Sequence, residues 1–283
     1  MPLRLSVPTP LEYFAALVQG DAGFPLLEAA ASIAQDEYPQ LDVQQVLGEM
    51  DHLLWRLRRR VAADAPAVQR LRVLNQFFFG TLGFGGNVNH YHAPANSPLN
   101  EVLRTRRGIP VSLAVLWLEL AQSVGLRVQG VAFPGHFLVR ALLAQGQVLL
   151  DPLTGRSLAR EDLIELLAPG PQQALALALA LDAEGAALHP YLQAATPRET
   201  VARMLRNLLQ VHRMQQDWPR ALAVLERLVI LLPQDGEPRR DRGLAHAACG
   251  HAVQAVEDLR AYLALRPDAP DAASIAERIR SLQ

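Results

Sequence analysis

The chain has 283 residues, 27 basic against 28 acidic, a net charge of -1 and half of its positions hydrophobic, which describes a folded chain with room for two cores and excludes a disordered one. That charge balance gives no ground to expect a nucleic-acid binder. The sole cysteine, Cys249, excludes an internal disulfide and a cysteine-rich metal site and suits a reducing compartment, and the lack of any lysine excludes Schiff-base and lysine-base chemistry.

Met1 to Arg4 leads into a helix signal with no cleavable leader pattern, so the expected location is the cytoplasm. Thr9-Pro10-Leu11-Glu12 places a capping threonine, a proline in the first turn and a glutamate three residues on, and predicts a helix to about Val18. A second helix follows Pro25 to about Gln35. Asp42 caps a third, with apolar residues at helical spacing up to Arg60, and a fourth runs from about Ala65 to Phe79. Glycines and polar residues between Gly80 and Asn96 predict a loop. Within it, His90-x-His92 is half of a metal site with no evident third ligand, so no metal and no cofactor are expected.

Ser97-Pro98 opens a short helix ending near Arg106, and Pro110 starts an almost wholly apolar helix that Gly125 ends. Arg127 to Phe133, His136 to Leu143 and Gln147 to Asp151 read as strands, and residues 161 to 167 as a short helix. The alternating Ala-Leu run from 174 to 181 reads as helix, too short to span a bilayer, and residues 183 to 195 read as linker. Thr196-Pro197-Arg198-Glu199 repeats the opening signal of the first helix. Beyond it, Pro233 and Pro267, Ala221 and Ala255, and Leu225 and Leu259 each stand 34 residues apart, the period of tetratricopeptide repeats. Two repeats and a last helix fall short of the roughly three units needed for independent stability, so they are expected to pack on the first domain.

The residues that carry chemistry lie between Asn96 and Asp151. Asn96-Ser97-x-Leu99-Asn100, Arg107-Gly108-Ile109-Pro110-Val111-Ser112-Leu113, Phe133-Pro134-Gly135-His136-Phe137 and Asp151-Pro152 put a helix start before a histidine strand and an aspartate strand. This order resembles the transglutaminase-like core family, specifically its SirB-type branch, in which such a core precedes tetratricopeptide repeats. The resemblance is close over roughly residues 75 to 165. It implies an α+β fold, a helix-rich papain-like core with a small antiparallel sheet, over residues 1–195, and an all-α repeat domain over 196–283.

In that family a cysteine opens the helix, an imidazole takes its proton and a carboxylate holds the imidazole. His136 and Asp151 fall where the last two belong, but counting back from Gly125 puts the cysteine position on Pro110. The expected function is therefore non-catalytic: a His136 and Asp151 pocket, with the repeats, binding a protein or peptide partner. The alternative is an amide or ester hydrolase or acyl transferase using Ser112, His136 and Asp151, with the helix N-terminus stabilising the oxyanion; against it, Ser112 can simply hydrogen-bond nearby backbone. Arg107, Asn100 and Arg140 are the expected ligand-binding residues, as paired donors for a carboxylate or phosphate. Neither a membrane nor a nucleic-acid partner is expected.

Overall fold

The computed structural model describes residues 7–20, 23–87, 93–168, 170, 173 and 186–283. His90, His92 and the run from 174 to 181 lie outside them. The front is helical as the capping signals require: α1 (Pro10–Leu17), α2 (Leu26–Ser32) with a 3-10 turn (Ile33–Asp36), α3 (Val43–Arg58), and α4 (Ala67–Asn75) continuing into a π-helical turn (Gln76–Thr81). Thr9 Oγ1 accepts from the Glu12 N–H at 3.2 Å while the Thr9 N–H donates to Glu12 Oε2 at 2.8 Å; this reciprocal cap satisfies two N–H groups that the first turn leaves free.

The loop expected after Gly80 holds a short strand. Gly85–Gly86 (β1) pairs in parallel with Arg107–Gly108 (β2), and α5 (Leu99–Thr105) lies between them. Next comes α6 (Pro110–Ser123), buried from Pro110 to Leu118 and packed on β3 (Arg127–Val131) and β4 (Leu138–Leu143). Strands β5 (Gly146–Leu150) and β6 (Ser157–Leu158) extend the sheet on one side, before α7 (Arg160–Leu167). On the other side the expected linker contributes a strand: Ala194–Ala195 (β7) pairs with Val131 and Gly130 of β3. The order is β6-β5-β4-β3-β7, antiparallel throughout. Polar Gln193 and the alanines after it carry no strand pattern, so this pairing comes from the open edge of β3.

Five helices follow: α8 (Pro197–Met214), α9 (Trp218–Leu231), α10 (Gly236–Ala248), α11 (Ala252–Leu265) and α12 (Ala272–Ser281). They pair as α8 with α9 and α10 with α11, and Gly243 lets α10 and α11 close up, since a Cβ there would stand 2.8 Å from Leu259 Cγ. The repeats do not stand apart. Helix α8 packs on α2 and α6, α9 packs on α1, and Val201, Leu205 and Leu225 belong to the same buried cluster as Phe14 and Trp117. Polar contacts reinforce the seam: Arg227 on α9 reaches Asp36 with two donors, His212 Nε2 stands 2.9 Å from Glu37 Oε1, and Arg198 Nη2 donates to Val18 O at 2.8 Å. Among the described residues no helix is long and apolar enough to cross a membrane.

Candidate functional site

Ser112 and Pro110 lie in the first turn of α6 and His136 lies in the turn just before β4, and the serine faces inward. Its residue is fully buried; Oγ accepts from the Ile109 N–H at 3.1 Å and lies 2.9 Å from Asn96 O and 3.0 Å from Ile109 O, to which it donates. The hydroxyl thus ties the start of α6 to the preceding 3-10 turn (Pro94–Asn96), the local backbone bonding that short hydroxyl side chains favour at helix starts. Gly108 is required beside it, because a Cβ there would come within 2.7 Å of Ser112 Oγ. Replacing Ser112 by alanine leaves the buried Ile109 N–H and its acceptors without that partner. The expected result is a loss of about 1–3 kcal/mol of stability in urea unfolding, with ligand binding retained.

His136 follows the Pro134-Gly135 turn, where Gly135 takes a φ of 70°. Burial holds its imidazole below the usual histidine pKa; the nearby Arg203 guanidinium adds to that effect and the Asp151 carboxylate opposes it. The ring is therefore neutral at pH 7. Asp151 is engaged elsewhere: Oδ1 accepts from the Leu153 N–H at 2.9 Å and Oδ2 from Thr154 Oγ1 at 2.8 Å, closing its own turn. Among the described residues no hydrogen bond joins His136 to Asp151, and none joins His136 to Ser112.

Of the other three expected residues, Arg140 and Arg107 serve the framework. Arg140 donates to Gln129 Oε1 on β3, to Gln147 Oε1 on β5 and to Leu192 O, across the sheet. Arg107 Nη1 donates to Gly83 O at 2.6 Å, and Asn100 keeps a buried Oδ1 without a partner. Among the described residues no group of three or more His, Cys, Asp or Glu side chains could hold a metal ion.

A cleft of about 280 Å³ opens at the start of α6, with Pro110, Val111, Gly135 and Phe137 in its lining. Its opposite wall is α8, which presents Arg203, Asn207 and Gln210. Ser97, only 6% exposed, lines it too. Among the described residues none of these four polar side chains has a hydrogen-bond or ion-pair partner. Four donor-bearing groups thus meet the N-terminal turn of α6, where the Val111 N–H has no partner within the helix and the dipole is positive. The arrangement suits a ligand rich in acceptor oxygens. Pro110 offers neither thiol nor N–H, and Ser112 is turned away from the cleft.

Sequence reasoning missed Ser97, Arg203, Asn207 and Gln210 as site residues. A signal exists: 203, 207 and 210 follow i, i+4, i+7 spacing and form one polar stripe on α8, opposite Val201, Leu205 and Leu208. What the sequence lacks is any sign that this stripe faces a helix start more than 90 positions upstream.

Comparison with known proteins agrees with this layout. The transglutaminase-like superfamily matches residues 44–206, and the tetratricopeptide repeat matches residues 208–280. A UPF0162 protein of Xylella fastidiosa (strain Temecula1) is 37% identical over 249 residues, covering 87% of this chain and 86% of that one. A UPF0162 protein of Pseudomonas aeruginosa is 30% identical over 91% of this chain and 90% of its own length, and the UPF0162 protein YchA of Escherichia coli K12 is 25% identical over 91% of each. No solved structure matches the chain. With a helix start, a histidine just ahead of β4 and an aspartate just after β5 in this order, and with the superfamily match covering more than half of its length, the chain belongs to the transglutaminase-like superfamily, joined to tetratricopeptide repeats.

Proposed function

We propose that this chain is a SirB-type, non-catalytic transglutaminase-like protein of the cytoplasm, and that it binds an extended peptide or protein segment between its core (residues 1–195) and its repeats (196–283). One observation carries the reading. The cleft at the start of α6 is roofed by α8, and Ser97, Arg203, Asn207 and Gln210 turn unpartnered polar groups into the space between. Ser97 is buried, Arg203 and Asn207 are half-buried and Gln210 is exposed at the rim; buried or half-buried donors without a protein partner must be satisfied by water or a ligand, so the convergence of the first three in one cleft supports binding. The apolar lining from Ile109, Val111 and Phe137 accommodates a side chain, while the polar groups read the peptide backbone.

The test is peptide display against the full chain, followed by affinity measurement with Asn207→Trp, which fills the cleft from the surface of α8. Recovered peptides should bind the filled variant at least about tenfold more weakly, roughly the 1.4 kcal/mol loss of a few hydrogen bonds. Unchanged affinity, or no peptide recovered, sinks the reading.

A further inference from the structure

The near-neutral net charge averages over charges that are sorted in space. Between Trp55 and Arg72 stand six arginines, Arg56, Arg58, Arg59, Arg60, Arg70 and Arg72, against one carboxylate, Asp64. Among the described residues the ion pairs lie elsewhere: Arg104–Glu101, Arg156–Asp162, and a dense set in and around the C-terminal helices. Among the described residues none of Arg56, Arg58, Arg59, Arg60 or Arg106 forms an ion pair; Arg58 donates to Ser123 O and Arg60 to Thr81 Oγ1.

These guanidiniums are held in place by rings. The Cζ of Arg56 is 5.6 Å and that of Arg60 5.0 Å from the centroid of buried Phe77, and Arg106 stands 4.7 Å above Phe84. A guanidinium stacked on a ring keeps its N–H edge free and oriented. Trp55, 53% exposed, lies between His52, stacked at 6.1 Å, and Arg59, whose Cζ is 4.7 Å from the indole. Beside it runs a groove of about 340 Å³ lined by Glu49, His52, Arg56, Leu103 and Arg106; it shares no residue with the cleft. Arg106 also keeps a buried Nη1 donor without a partner.

We infer that this surface binds single-stranded nucleic acid, with Arg56, Arg59, Arg60 and Arg106 on the phosphates and Trp55 as a stacking face for a base. A positive groove interleaved with an exposed aromatic ring is how such strands are held without base-pair readout. The exposed indole decides against an acidic protein segment, which brings no ring to stack on it. Glu49 acts on Arg106 and offsets part of its charge, so Arg56, Arg59 and Arg60 carry most of the attraction for the phosphates.

The test is fluorescence anisotropy of the full chain with fluorescein-labelled U12 and dT12 from 50 to 200 mM salt, with a twelve-residue polyglutamate as a third probe. Binding of U12 or dT12 with a log–log salt slope near about -3 is expected, since each neutralised phosphate of a single strand contributes roughly -0.7. Trp55→Ala should weaken it about tenfold with little change of slope, and Arg59→Ala should flatten the slope by about one phosphate; both positions are at the surface, so folding is preserved. The stronger of U12 and dT12 assigns RNA or DNA as the source of the strand. Failure of both oligonucleotides to bind overturns the inference. So does polyglutamate binding as tightly as they do with Trp55→Ala without effect.

Discussion

Substituting Asp36 with alanine is expected to lower the unfolding free energy by about 3–5 kcal/mol, the usual result of stripping a buried charge of its partner. Arg227 is fully buried, with Nε 2.5 Å from Asp36 Oδ2, Nη2 2.7 Å from Oδ1, and its Cζ 4.9 Å from the Phe14 ring. The guanidinium is sealed from solvent, while the Asp36 side chain keeps 17% of its surface exposed, so water reaches only the carboxylate's side of the pair. At about 2–4 °C for each kcal/mol in a chain of this size, the midpoint should fall by roughly 10 °C. The paired replacement Asp36→Leu with Arg227→Met should recover most of the loss, because the pair's own attraction is largely offset by its desolvation. A double-mutant cycle in urea checks both statements. A loss under about 1 kcal/mol for Asp36→Ala would mean that the pair is wetter than its geometry indicates.

That pair also shows what kind of information the sequence carries. Local devices were legible: the Thr9 and Thr196 caps, the apolar α6 after Pro110, and the 34-residue spacing that puts Ala221 and Ala255 at equivalent helix contacts. Each is written within a few residues or in a fixed period. Asp36 and Arg227 are 191 positions apart and lie on elements of different period, so nothing local couples them. Ser112 illustrates a second limit. Its place at a helix start fits a nucleophile and a backbone tie equally well, and only the direction of the side chain, toward Asn96 O, separates them. Asp151 is similar: an aspartate ahead of Pro-Leu-Thr-Gly can hold a histidine or close its own turn, and Gly155, at a φ of 73° where a Cβ would press on Phe79, completes the turn. The cleft wall on α8 was hidden for a third reason. Its polar stripe is what any solvent-facing helix shows, and the core that faces it was written in another part of the chain.

Cutting the chain before Thr196 should leave the repeats unable to fold. In the intact protein the apolar stripe of α8, Val201, Leu205 and Leu208, is shared between α9 and the core helices α2 and α6, and α9 spends another part of its surface on α1. Exposing two such side chains costs about 3–6 kcal/mol, which is comparable to the whole stability of a fragment this small, on the order of 5–10 kcal/mol. Arg227 loses Asp36 at the same cut, and Arg198 loses Val18 O. Stacked repeats are stabilised by neighbours, and here the core acts as the neighbour that a third repeat supplies in longer arrays. The isolated 196–283 fragment should therefore show much less helix by far-UV circular dichroism than its share of the intact chain and bind a hydrophobic dye, while the intact chain unfolds in one transition seen alike by fluorescence and circular dichroism. A fragment that melts cooperatively near the midpoint of the full chain would show that the second repeat and α12, with Leu259, Tyr262, Ile275 and Ile279 packed together, suffice as a core of their own.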